Sequence, residues 1–110
     1  MKRKHGYAAI GDYAAIGDGR TTALVALDGS IDFLSLPTMQ APTTFGALLD
    51  PDRGGRFVLQ PTGRFDAERR YLDRTNVLET TYRCRNGVVR VTDAMTMHGG
   101  GQLAWRELAR

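Results

Sequence analysis

At 110 residues, with 42% hydrophobic side chains and a formal net charge of +3, the chain suits one domain with a modest core and is too apolar for a disordered tail. It holds no apolar run of bilayer-spanning length, and outside Lys2-Arg3-Lys4 its basic residues alternate with Asp and Glu, so neither a membrane nor a nucleic acid is the expected partner. Cys84 has no second cysteine to bridge and reads as a structural thiol.

Residues 1–12 read as a flexible extension. Lys2-Arg3-Lys4 is like the charged start of a secretion signal, but residues 5–12 supply no sustained apolar segment, so the cytoplasm is the expected compartment. The hexapeptide YAAIGD then occurs twice in succession, at 7–12 and 13–18. Two copies cannot stack into a repeat fold, which needs at least about three, and a local duplication is the simpler reading. Gly17-Asp18-Gly19 forms a turn into the next segment.

Two apolar runs, 21–27 and 30–36, flank Asp28-Gly29, a pair suited to a type I′ turn. A two-residue turn there sets Ala26 opposite Ile31, Leu24 opposite Phe33 and Thr22 opposite Ser35. The other face then joins Val25 to Asp32 and Ala23 to Leu34. Both faces are largely apolar, which predicts strands inside a sheet rather than at its rim.

Pro37 and Pro42 bracket a loop. Thr43 or Thr44 is placed to cap a short helix near residues 43–49, which Pro51 would stop. After a turn at Asp52-Arg53-Gly54-Gly55, a strand is expected over 56–60 with Phe57 and Leu59 on one face. Pro61-Thr62-Gly63 turns again, and 64–74 is polar with Phe65, Tyr71 and Leu72 as anchors.

A second hairpin joins 76–84 to 88–95 through Asn86-Gly87. This register puts Cys84 opposite Val89, Tyr82 opposite Val91 and Leu78 opposite Met95 on an apolar face. Arg85 with Val88, Arg83 with Arg90 and Thr81 with Thr92 make the polar one. Residues 98–102 are a glycine-rich joint, and 103–110 has helical spacing in Leu103/Glu107 and Ala104/Leu108. The predicted fold class is all-β, an antiparallel β-sandwich or part of one, with the short helix near 43–49.

Four stretches carry a resemblance: DYAAIGDGRTTALVALDGSIDFLSLP, FGALLDPDRGGRF, RRYLDRTNVLETTY and VVRVTDAM. In order and spacing they resemble the trehalase-like N-terminal domain of glycoside hydrolase family 15, which includes glucoamylases, dextranases and bacterial trehalases. The second YAAIGD copy is the one in register with that pattern. The resemblance implies a β-sandwich over 13–110, incomplete at its C-terminus, preceding a catalytic (α/α) barrel that holds an inverting pair of glutamates. It also favours a strand rather than a helix near 103–110.

The chain itself offers little catalytic chemistry. A glycosidase needs two carboxyl groups flanking the bond, and Glu68, Glu79 and Glu107 form no such motif. Gly17-x-Gly19 precedes a strand and lacks the glycine pattern of a dinucleotide site. His5 and His98 are distant, and Ser30 and Ser35 have no neighbouring His, so no catalytic residue, metal or cofactor is indicated. The remaining candidate is the loop over 37–45. Where the family pattern resembles W-L-C-L-P-R-F-D-S-P-S-V-F, this chain has Phe33 for the Trp and Thr38, Met39, Gln40 and Ala41 for Arg-Phe-Asp-Ser. Pro37, Pro42 and Phe45 persist, which favours a structural loop, and Phe33, Thr38 and Gln40 are its candidate substrate-proximal residues.

The expected role is the non-catalytic part of a hydrolase of α-glucosidic bonds. Its partner is the barrel, in a fuller chain or a separate polypeptide, with α-glucosidic sugars as possible ligands. The alternatives are a free-standing carbohydrate-binding or interaction module and a degenerate fragment that does not fold.

Overall fold

The computed structural model describes residues 1–97 and 106–110. They form two antiparallel sheets. In the first, β1 (Tyr13–Gly17), β2 (Thr22–Ala26), β3 (Ser30–Ser35) and β4 (Thr43–Phe45) lie in that order, and β5 (Phe57–Val58) also pairs with β3. In the second, the order is β6 (Phe65–Tyr71), β7 (Leu78–Cys84), β8 (Gly87–Met95) and β9 (Leu108–Ala109). The expected antiparallel all-β sandwich is what the chain forms.

The core lies between the sheets. Ala14 and Ile16 from β1, Ala23 and Val25 from β2, and Ile31 and Leu34 from β3 meet Leu78 of β7 and Met95 of β8. Each fully buried Val, Ile or Leu contributes about 1.5–3 kcal/mol relative to exposure. As predicted from their two apolar faces, β2 and β3 are interior strands.

The first hairpin differs from its predicted register in an instructive way. Leu24 faces Phe33 and Ala23 faces Leu34 as expected, but Val25 faces Ile31 and Asp32 has no partner on β2. The turn closes by an N–H bond from Gly29 to the Ala26 carbonyl, and Gly29 has φ +87° while Asp28 stays at negative φ. This is a three-residue loop, not a type I′ pair. The bulge at Asp32 takes up its extra residue. Ile31 and Leu34 thereby share the core face, although strict alternation would separate them.

In the second hairpin the faces are as predicted and the partners are not. Cys84 faces Gly87, Tyr82 faces Val89, Thr80 faces Val91 and Leu78 faces Asp93. The loop is Arg85-Asn86, one position earlier than Asn86-Gly87, which moves each partner on β8 by two, and Asn86 is at negative φ. A shift of two keeps every side chain on its side, so Leu78, Thr80 and Tyr82 stay buried.

No helix forms over 43–49. Thr43 pairs with Ser35 and Phe45 with Leu34, and Phe45 packs on the core. β-branched threonines favour an extended strand where a sheet edge is available, and that outweighs capping. What remains of helical tendency is one turn, in which the Leu49 and Asp50 N–H groups bond the Gly46 carbonyl at 2.9 and 3.1 Å. A 3-10 turn is found instead at Ile10–Asp12.

The polar segment 64–74 contains a full strand, β6. Its register places Arg69 opposite Thr80, and the guanidinium bonds the carbonyls of Asp12 and Val25 at 2.8 and 3.1 Å. An inward arginine satisfied by backbone hid the strand pattern. Of the two readings of 103–110, strand pairing is found at Leu108 and Ala109, opposite Met95 and Ala94. The glycine-rich joint falls within residues 98–105, outside the described residues.

Candidate functional site

The bulge in β3 aims Asp32 into a polar cluster beneath the first hairpin. Its Oδ2 accepts bonds from Arg3 Nη1 at 2.7 Å and Tyr13 Oη at 2.6 Å. Its Oδ1 accepts from Ser30 Oγ at 2.6 Å, with Arg56 Nε at 3.7 Å. Arg3 also donates to both carboxylate oxygens of Asp28, at 2.8 and 3.1 Å, and to Ser30 Oγ. Arg3 lies in the segment read as a flexible extension, and it reaches this cluster across a turn in which His5 and Gly6 both have positive φ between paired Lys4 and Tyr7.

The electrostatics follow from this contact set. Burial alone would raise the Asp32 carboxyl, but bonds from Arg3, Ser30 and Tyr13 outweigh it and hold the group below its usual range. Burial and then the bond to Asp32 push the Tyr13 hydroxyl up to about 12. Burial would lower Arg3, yet its bonds to Asp28 and Asp32 keep it protonated more firmly than usual. Asp32 is therefore ionised with both oxygens occupied. The cluster is suited to clamping the N-terminal segment and poorly suited to moving a proton.

Several other carboxylates are also matched to cations. Asp93 takes two bonds from Arg110. Asp18 Oδ1 accepts the N–H groups of Arg20 and Thr21, and its Oδ2 lies 3.5 Å from Arg106 Nε. Burial works against the Asp18 charge, and those bonds and Arg106 hold its carboxyl low. Glu79 pairs with Arg70 and Arg90, and Glu68 with Arg83, while Glu107 is exposed. Asp28 and Asp32 do converge, but a guanidinium stands between them where hydrolysis would need a water or a sugar. Among the described residues no three of His, Cys, Asp and Glu are grouped so as to hold a metal ion.

The sequence-predicted residues lie elsewhere. Phe33 is half-buried in β3 opposite Leu24. Thr38 is half-buried and Gln40 exposed in the loop that follows a cis Leu36–Pro37 peptide. That loop is tied down by Thr21, whose hydroxyl bonds the Ser35 carbonyl at 2.5 Å and reaches Met39 Sδ at 3.7 Å, and by an N–H bond from Ala41 to the Thr38 carbonyl. Sequence reasoning missed Arg3, Tyr13 and Asp32. The available signal was an aspartate inside the apolar run Ile31-Asp32-Phe33-Leu34, since a buried charge needs a counterion.

A family model described as "Trehalase-like, N-terminal" matches residues 5–102. The trehalase of Mycolicibacterium smegmatis is 41% identical over 93 residues, covering 83% of this chain and 14% of the relative. The trehalase of Mycobacterium tuberculosis is 38% identical over 92 residues, covering 83% and 13%. That of Thermoplasma volcanium is 35% identical over 109 residues, covering 96% and 17%. The chain thus spans a small part of the length of these relatives. No solved structure matches it.

Proposed function

Because the chain belongs to the trehalase-like N-terminal family, we propose that it is the non-catalytic N-terminal domain of a trehalase-like hydrolase of glycoside hydrolase family 15, acting on α-glucosidic bonds. Catalysis belongs, in this reading, to an (α/α) barrel in a fuller chain or a separate polypeptide. The observation that carries it is the commitment of Asp18, Asp32 and Asp93 to arginines, which leaves these carboxylates unavailable as acid or base. The sandwich then serves as a scaffold against the barrel, with Phe33, Thr38 and Gln40 toward the substrate entrance. The proposed setting is the cytoplasm, where a thiol such as Cys84 stays reduced.

The test is to incubate the purified chain with trehalose, maltose and isomaltose, following glucose release and binding heat. No release and no saturable heat are expected. Glucose release would overturn the assignment, and saturable binding without cleavage would favour a carbohydrate-binding module.

A further inference from the structure

The duplicated hexapeptide YAAIGD, at 7–12 and 13–18, has no part in the role above. The second copy supplies β1. The first lies outside the sheets, its Tyr7 paired with Lys4 and its Ile10 in the 3-10 turn. Two isoleucines in identical surroundings of sequence thus have opposite fates: Ile10 is 92% exposed and Ile16 1%.

β1 is an edge strand, hydrogen-bonded in its sheet to β2. Sliding the chain by six residues would bring Tyr7, Ala8 and Ile10 to the places of Tyr13, Ala14 and Ile16. Six is even, so core-facing and outward-facing positions are preserved. The contacts made through backbone carry over too. Tyr71 Oη bridges the Ala15 N–H and carbonyl at 3.1 and 2.8 Å and would meet Ala9. The Asp12 carbonyl, which accepts from Leu27 N–H and Arg69, would be replaced by that of Gly6. The β1–β2 connection would lengthen from residues 18–21 to residues 12–21, at a closure cost that grows only slowly with length.

Some contacts do not carry over: the Lys4–Tyr7 pair, the Arg56 bond to the Gly6 carbonyl and the Tyr7 hydroxyl bond to the Leu49 carbonyl would be lost. Arg3 would also leave Asp28 and Asp32, and the buried Asp32 would then keep only Arg56, at 3.7 Å, as a cation nearby. We propose that β1 is a two-position strand, in which either YAAIGD copy fills the same place beside β2, and that the Arg3–Asp32 pair selects the second. The slipped state frees the basic N-terminal segment at one end of the sheet. At the other it puts a long loop beside the groove of about 780 Å³ lined by Gly17, Tyr71, Asn76, Met95 and Met97.

Proline substitution tests this in the 110-residue chain by two-dimensional NMR. Ile16→Pro removes a strand donor and a core side chain from the second copy. It is expected to keep a dispersed amide spectrum, with the Ile10 methyls now in contact with Val25 and Leu34. Ile10→Pro alone should leave the spectrum largely unchanged, and Ile10→Pro/Ile16→Pro should lose its dispersion. If Ile16→Pro folds only when combined with Asp32→Asn, and with Ile10 buried, slippage holds and selection by the Arg3–Asp32 pair is directly established. The proposal is overturned if Ile16→Pro, with and without Asp32→Asn, collapses as fully as the double proline variant, or if it folds with the Ile10 methyls in solvent.

Discussion

Arg110 grips Asp93 at two points, Nε to Oδ1 at 2.6 Å and Nη2 to Oδ2 at 3.2 Å, with side chains 3% and 1% exposed. The same guanidinium donates to the Phe57 carbonyl at 3.2 Å and lies 5.0 Å from the centre of the Phe57 ring. It therefore joins β5 of one sheet to β8 of the other, at the mouth of the sandwich where β9 is short.

Breaking that pair from one side should be costly. Arg110→Met leaves the Asp93 charge buried without its counterion, and a loss of about 3–5 kcal/mol is expected. Asp93→Asn/Arg110→Met should recover part of it, because no charge is then stranded. Urea denaturation of the three proteins measures both steps.

Stability should fall on the acid side through Asp32 and Asp18. Both carboxyls are held below their usual range in the fold, so the unfolded chain binds protons more readily. Their contribution is complete above the unfolded value near about 4 and is lost as pH drops through the lower folded values. Asp32→Asn should flatten part of this acid limb in urea midpoints taken from pH 5 down to pH 2.

The alkaline side has the opposite sign and different residues. Burial raises Tyr82 to about 12, and burial with the bond to Asp32 raises Tyr13 to about 12. Their neutral forms stabilise the fold fully below about pH 10, and the contribution is lost as pH rises through the folded values. Phenolate absorbance should show these two tyrosines ionising late and together with unfolding, and Tyr13→Phe should make the stability loss above pH 10 shallower.

Gly29 tolerates no side chain. It has φ +87°, and a Cβ there would run into the Leu59 carbonyl oxygen and stand 2.6 Å from Tyr82 Oη. Gly29→Ala combines left-handed strain with overpacking and should cost about 2–4 kcal/mol. Gly19→Ala is the control, with a positive φ but nothing within 4 Å of the added carbon. It should lose only the backbone share, about 1–2 kcal/mol. Thermal melts of the two variants separate the contributions.

Alternating burial in 78–84 is readable because a two-sided strand writes its faces into residue parity, and a register displaced by two leaves parity intact. The 31–34 segment was misread for the converse reason: a bulge consumes one residue, and no local signal reports it. The strand at 65–71 was hidden by Arg69, whose inward placement makes sense only with the Asp12 and Val25 carbonyls in reach. The helix expected near 43–49 failed because Thr43 and Phe45 found β3 as a partner.

Sequence alone thus settled the class of fold and the family resemblance, since apolar alternation, turn residues and motif order are local properties that survive small errors of register. It could not pair Arg3 with Asp32, or Arg110 with Asp93, because charges far apart along the chain become partners only when strands are laid side by side and water is excluded between them. The choice between two identical hexapeptides belongs to that same level. Their side chains are indistinguishable, and in the proposal above it is the position of Arg3 relative to a buried carboxylate that favours one of them.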